Sequence, residues 1–151
     1  MKDMLVNLYA LPTAPATVEG VRLERVLPPD FGRVLQFVAA HFDEGWVHEC
    51  EAALHQSPPS CFVAVKEHAL LGFACYDATA RGMFGPVGVD AAARGQGVGA
   101  ALTYRCMQAM REAGYAYAVI GWCDGKEPFY TRTVGAVPIE NTGDTVYSRM
   151  I

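Results

Sequence analysis

The chain has no cluster of lysines and arginines. Its 12 basic residues are scattered against 16 acidic ones, leaving a formal charge of −4. A nucleic-acid partner is drawn by a basic patch that collects phosphates, so none is expected here. Nor does any apolar run approach the roughly 20 residues of a membrane-spanning helix, and no membrane partner is expected. Five cysteines, Cys50, Cys61, Cys75, Cys106 and Cys123, are odd in number and never form a CxxC pair. That pattern excludes a disulfide framework and fits reduced thiols in a cytoplasmic protein. The opening "MKDMLVNLYALPTAPA" lacks the basic start and unbroken apolar centre of an export signal, because Asp3, Asn7 and Pro12 interrupt them. It reads as a strand followed by a proline-rich turn. Repeats and low-complexity tracts are lacking too, and residues 1–151 suit one domain with a real core.

What is present is a succession of short strands and amphipathic helices. Residues 4–11 and 20–27 are extended, the second alternating apolar with charged positions as a half-buried strand does. From Asp30 in a capping position, apolar residues at 31, 34, 35, 38 and 42 mark a helix. A second helix runs over 44–56 until Ser57-Pro58-Pro59 breaks it. Two compact strands over 61–67 and 70–77 turn at His68-Ala69, and a third at 82–89 is interrupted by Gly85, Pro86 and Gly88. A helix over 97–113 puts Val98, Leu102, Cys106, Ala109 and Met110 on one face and stops at Gly114. A buried strand at 115–122, a short helix at 127–134 ended by Gly135-Ala136, and strands at 136–140 and 145–150 complete the chain. This is the order of a mixed α/β sheet.

The stretch "VDAAARGQGVGAAL" concentrates three glycines ahead of a helix, where glycine is costly. Gly95, Gly97 and Gly99 let successive N–H groups approach a ligand, the helix presents its positive end, and Arg94 adds a charge. That combination suits a phosphate compound. A P-loop is excluded because no GK[ST] ends the run. A small NAD-binding module competes, since Gly95 to Ala100 satisfies G-x-G-x-x-A and Asp124 closes the next strand at about the spacing of a ribose-binding acid. Three features count against it. Asp90 to Arg94 separate the strand from the glycines, the strand itself carries Pro86 and two glycines, and about thirty residues after Gly121 are too few for further βαβ units.

Arg94, Gly97 and Gly99 in "RGQGVG" resemble the pyrophosphate-binding signature Q/R-x-x-G-x-G/A of the GNAT superfamily of acyl-CoA-dependent N-acetyltransferases. "EPFYTRTVGAVPIE" resembles the same family's FY-x-x-x-G-F element through Phe129, Tyr130 and Gly135, with Ala136 in place of the usual aromatic. The resemblance spans residues 20 to 150 and leaves 1–19 as an extra N-terminal strand and loop. It implies an α/β fold with a mixed, mostly antiparallel central sheet flanked by helices and a bulged strand splayed from its neighbour. The proline and glycines of "FGPVGV" suit such a strand. It also implies acetyl-CoA as co-substrate. Val87, Gly88 and Val89 would meet the pantetheine arm like an added strand. The phosphates would lie on Gly95, Gln96, Gly97, Val98, Gly99 and Ala100, with Arg94 beside them and Phe129 near. Tyr130 takes the place of the family's general acid, protonating the departing sulfur.

Other assignments stay open at this level. Asp124 binds pantetheine or the amine, relays a proton, or is a solvated turn residue. The bulged strand has no carboxylate to act as base, which leaves Asp77, Glu44 and Glu49 as candidates. Asp43, Glu44, Glu49 and Glu51 crowd one region that either attracts a cationic substrate or is a solvated helix face. Trp46 either lines the acceptor pocket or packs. His41, His48 and His55 recur every seven residues, a rise of about 10.5 Å on a helix, too far for one ion, so no metal is expected. The cysteines are expected as core thiols. The function implied is direct acetyl transfer to a primary amine; the alternative is an acyl-CoA-binding sensor on the same fold. The acceptor is open among amino sugar, polyamine, antibiotic, amino acid and protein N-terminus, with a small molecule favoured, and the family makes a homodimer an option.

Overall fold

Two apolar runs that follow each other in the chain become neighbouring strands buried on both faces. In the computed structural model, which describes residues 1–140 and 143–151, "CFVAVK" is β3 (Cys61–Lys66) and "ALLGFACY" is β4 (Ala69–Tyr76). Side chains alternate across a strand. Phe62, Ala64, Ala74 and Tyr76 therefore enter one core cluster, while Cys61, Val63, Phe73 and Cys75 enter another on the opposite face. The first cluster is closed by α3 (Val98–Glu112), whose Val98, Leu102, Cys106, Ala109 and Met110 all point inward as the periodicity predicts. The second is closed by α1 (Phe31–His41) and α2 (Glu44–Leu54). A fully buried Leu or Phe stabilises such a core by about 1.5–3 kcal/mol, and Phe62, Phe73, Leu54 and Leu102 are all of this kind.

The remaining strands are β1 (Met4–Asn7), β2 (Arg22–Arg25), β5 (Met83–Val89), β6 (Tyr117–Ile120) and β7 (Val137–Pro138). The sheet runs β2-β3-β4-β5-β6-β1-β7, and every pairing is antiparallel except β5 with β6. The expected mixed, mostly antiparallel sheet is thus present. β5 follows β4 through Val89, but it pairs with β6 only at Met83 and Phe84. From Gly85 and Pro86 onward the two strands part. That opening is the splay which the residues of "FGPVGV" predict.

Several boundaries differ from the sequence expectation. The N-terminal strand ends at Asn7 rather than residue 11, because the Asn7 carbonyl and side chain draw back the N–H groups of Ala10 and Tyr9. The second strand is only Arg22–Arg25 and yields to a 3-10 turn at Pro28–Asp30. Asp30 precedes α1 but its side chain makes no cap bond; Asp43 caps α2 instead, accepting the Trp46 N–H at 2.9 Å. The expected strand at 145–150 is a 3-10 turn, Val146–Arg149, held by a capping box. In it the Thr145 hydroxyl accepts from Tyr147 N–H while Ser148 Oγ accepts from Thr145 N–H. Among the described residues no helix is long and apolar enough to cross a membrane.

All five cysteines are free and buried. Burial raises the thiols of Cys75 and Cys106, and pushes Cys123 up to about 12. Hydrogen bonds from Cys61 and Cys75 draw the Cys50 thiol well below the usual range instead. Thiolate is the reactive form, but Cys50 is buried like the other four, so a reagent in solvent does not reach it. A colorimetric disulfide reagent at pH 8 is expected to titrate essentially no thiol in the native protein and all five in denaturant. A native thiol reacting at the rate of free cysteine would contradict the packing described.

Candidate active site

The parting of β5 from β6 leaves a cleft of about 540 Å³. One wall is the free edge of β5 at Val87, Gly88 and Val89, and the floor is the head of α3. A 3-10 turn, Ala91–Ala93, joins the two, with Asp90 Oδ1 accepting the Ala92 N–H at 3.1 Å. Gly97 then takes φ 92, a left-handed conformation suited to glycine, and stands as the N-cap of α3 without offering a side chain. The first-turn N–H groups of Val98, Gly99 and Ala100 have neither helical partners nor a side-chain cap. They sit at the positive end of a 15-residue helix. Arg94 lines the same cleft, and its Nε donates to the Val89 carbonyl at 3.1 Å, so it also ties the loop to the end of β5. An uncapped helix start, an open glycine loop and a guanidinium fit a diphosphate.

Opposite lies α4 (Glu127–Val134), begun by Pro128 in its first turn and ended by Gly135 at φ 70. It presents Phe129 and Tyr130 to the cleft. Tyr130 is only 6% exposed, packed edge-on against Phe84 and Phe129 at 6.3 and 5.1 Å. Burial raises its hydroxyl well above the usual tyrosine range, with the nearby Cys123 and Tyr147 adding to the effect. A phenol so placed remains a proton donor through neutral pH.

A second cavity of about 460 Å³ adjoins the first. Trp46, Val87, Lys126 and Tyr130 belong to both walls, so the two spaces meet at the tyrosine. Glu49 lies in this second cavity, where the Thr79 hydroxyl donates to its Oε2. Trp122, Tyr147 and Met150 close the outer side.

Most of the sequence candidates converge here. Val87, Gly88, Val89, Arg94, Gly95, Gly97, Val98, Gly99, Ala100, Phe129 and Tyr130 line the first cleft; Gln96 is exposed and outside its wall. Gly88 has a further reason to lack a side chain: its Cβ would lie 2.4 Å from the Phe42 ring. Trp46 and Glu49 reach the second cavity. Three carboxylates lie elsewhere. Asp124 is in neither wall: it accepts the Lys2 backbone N–H at 2.9 Å, which holds its carboxyl below the usual range, and it lies 4.0 Å from the N-terminal ammonium. Asp77, at φ 54, organises the turn before β5 by accepting from Gly82 N–H and the Tyr115 hydroxyl. Glu44 is almost fully exposed, 3.6 Å from His48. Phe42, Phe84, Trp122, Lys126, Tyr147 and Met150 are wall residues that the motifs did not reveal.

The sulfurs of Cys50, Cys61 and Cys75 lie within 4.8 Å of one another in the core beneath α2. Their separation in the chain conceals this, because a helix and two strands bring them together. They line neither cavity.

Fold and cleft define a mixed α/β domain whose splayed strand opens a cleft onto an uncapped helix start. Residues 24–135 match the model of the acetyltransferase (GNAT) family, and the chain belongs to that family. No curated protein matches it in sequence. Among solved structures it is similar to the glucosamine N-acetyltransferase region of a fungal multi-domain GH3 beta-N-acetylglucosaminidase, with a TM-score of 0.75 at 14% identity over 91% of this chain and 19% of that one. A GCN5-related N-acetyltransferase from Kribbella flavida gives 0.68 at 22% identity over 91% and 53%. A GNAT family acetyltransferase from Brucella melitensis, in complex with acetyl-CoA, gives 0.58 at 19% identity over 83% and 90%. The chain therefore spans about a fifth and about half of the first two, and nearly all of the third. At these identities the likeness is one of fold.

Proposed function

We propose that the protein transfers an acetyl group from acetyl-CoA to a primary amine by direct attack, with Tyr130 as general acid. The observation that carries this reading is the meeting of two cavities at Tyr130, one floored by the uncapped start of α3 and one open to a second substrate. The residues present fit coenzyme A. The N–H groups of Val98 to Ala100 would hold the pyrophosphate with Arg94 beside it. The backbone of Val87 and the N–H of Val89, on the edge of β5 that no strand covers, would pair with the amides of the pantetheine arm. Acetyl-CoA, when bound, supplies an activated acyl group and a thiolate that leaves. The chain contributes position and a proton: as the neutral amine's nitrogen bonds the acyl carbon and the C–S bond breaks, Tyr130 Oη donates to the departing sulfur, and the proton shed by the new amide nitrogen passes to water, which restores the phenol. The binding of acetyl-CoA by the Brucella melitensis relative supports the assignment of the cleft. Five unpaired buried thiols support a reducing compartment, the cytoplasm.

The test has two readouts. Acetyl-CoA at about a hundred times its Kd should raise Tm by roughly 5–10 °C, the stabilisation expected for ligand bound only by the folded state, whereas NAD and ATP should do far less. Release of free coenzyme A thiol should then depend on an added amine. Stabilisation by NAD alone would overturn the reading. Tight acetyl-CoA binding with no transfer to any amine would favour a sensor instead, the one alternative to which the lack of a carboxylate on β5 lends weight.

A further inference from the structure

The second cavity has a wall more specific than its role as an acceptor space requires. Four aromatic side chains besides Tyr130 face it: Trp46, Phe84, Trp122 and Tyr147. Trp122 is the unusual member. Its side chain is 53% exposed and its backbone sits at φ 55, a left-handed conformation that few non-glycine residues adopt. The core does not call for it there. The backbone is held from outside the cavity, where the Asp3 carboxylate accepts the Trp122 N–H at 3.2 Å, and within the cavity the Tyr147 ring packs edge-on against the indole at 5.4 Å. This conformation turns the indole toward the second cavity, where a ligand can reach its face.

The charges of the wall narrow the ligand further. Asp43 gives Oδ1 to the Trp46 N–H at the start of α2. Glu49 gives one oxygen to Thr79 and keeps Oε1 without a recorded partner among the described residues. Lys126 stands in the wall shared with the coenzyme cleft. Two carboxylates and one cation thus line this wall, so an ammonium directed to Glu49 finds a counter-charge, while a second ammonium on the same molecule would share the wall with the like charge of Lys126. Most of the lining is aromatic or apolar, so a sugar's several hydroxyls would largely meet ring faces, and each hydroxyl left without a partner costs binding. An apolar ring, by contrast, finds indole and phenol faces on which to stack, and its ammonium can also rest against them.

Resting on the acetyltransferase reading above, we infer that the acceptor is a primary monoamine with an aromatic or compact apolar body, its nitrogen directed past Glu49 toward Tyr130 and its body held between Trp46 and Trp122. Trp122 and Glu49 are then determinants of specificity. Each acts on the acceptor and neither touches the coenzyme cleft.

The experiment uses the full chain with saturating acetyl-CoA, following thiol release with 2-phenylethylamine, glucosamine and spermidine at matched concentrations. The expected kcat/KM for 2-phenylethylamine is at least tenfold above either alternative. Trp122→Ala should raise its KM at least tenfold, with a smaller change in kcat and an unchanged Tm shift from acetyl-CoA. Trp122→Phe should restore most of the affinity. Glu49→Gln should raise KM for 2-phenylethylamine while leaving the Tm shift in place. A preference for glucosamine or spermidine, or a KM for 2-phenylethylamine indifferent to Trp122→Ala, overturns this inference and leaves the transferase reading standing. A chain that acetyl-CoA stabilises but that acetylates none of the three overturns the inference as well, and the intact Tm shift then shows that the fault lies on the acceptor side of the reading. Absence of any shift removes the coenzyme assignment itself.

Discussion

Replacing Tyr130 by phenylalanine should lower kcat at least a hundredfold and leave acetyl-CoA affinity within a few-fold of the parent. The substitution deletes one oxygen. The ring keeps its contacts with Phe84 and Phe129, and the backbone N–H of residue 130 still donates to the Lys126 carbonyl. Among the described residues no side-chain partner loses a hydrogen bond, so folding should scarcely change. What disappears is the proton donor at the junction of the two cavities. A thiolate of pKa about 8.5 leaves slowly but not impossibly without help, and general acids typically contribute about a hundredfold to ten-thousandfold. The sign of the pH effect follows from burial, which holds the hydroxyl protonated above the usual tyrosine range. This group should therefore cause no alkaline loss of activity below about pH 10, the ordinary value for tyrosine. Undiminished kcat in Tyr130→Phe, measured on the true acceptor, would remove Tyr130 from the mechanism.

The coenzyme side of the site was legible in the sequence because it is written locally. Gly85, Pro86 and Gly88 break one strand, and Arg94, Gly97 and Gly99 prepare one helix start, so neighbouring residues carry both the signal and its cause. The second cavity is assembled from distant segments. Trp46 and Glu49 come from α2, Trp122 and Lys126 from the loop after β6, and Tyr147 and Met150 from the final 3-10 turn. No spacing rule connects these, and only the folded chain brings them together. Asp124 illustrates the opposite failure. Its place after a strand beside the cleft pointed to chemistry, yet its carboxylate faces the first two residues of the chain. The explanation lies in β1, which the family resemblance left unassigned. Met4 to Asn7 pair with β6, and Met4 and Leu5 also pair with β7. Lys2 binds Cys123 and Asp124 while Asp3 binds Trp122 and Ile139. The extra N-terminal strand thus fixes the loop that carries Trp122 and Lys126 into the wall of the second cavity. A pairing across more than a hundred residues leaves no trace in local periodicity.

A leucine at Gly99 should abolish the Tm shift produced by acetyl-CoA, raise its Kd well over tenfold, and leave the free protein's Tm within a few degrees. Gly99 is a cleaner probe than Gly97. Gly97 has φ 92, so any side chain there would combine strain at the N-cap with obstruction of the cleft. Gly99 has no such φ: it is the second residue of α3, and its Cβ would meet only Val89 Cγ2 at 3.6 Å, an ordinary contact. Leucine is also a good helix former, so the apo protein gains propensity where it acquires bulk. The bulk would project beside the N–H groups of Val98 and Ala100, in the floor of the 540 Å³ cleft. Gly99→Ala, which adds one carbon, should cost much less. Arg94→Ala should weaken binding only a few-fold, since an exposed charge is screened while the backbone donors remain. That ordering, with leucine far more damaging than loss of the arginine, separates a cradle of main-chain N–H groups from a simple electrostatic patch. If Gly99→Leu retained the full acetyl-CoA shift, the diphosphate would have to lie away from the start of α3, and the assignment of the cleft would fall with it.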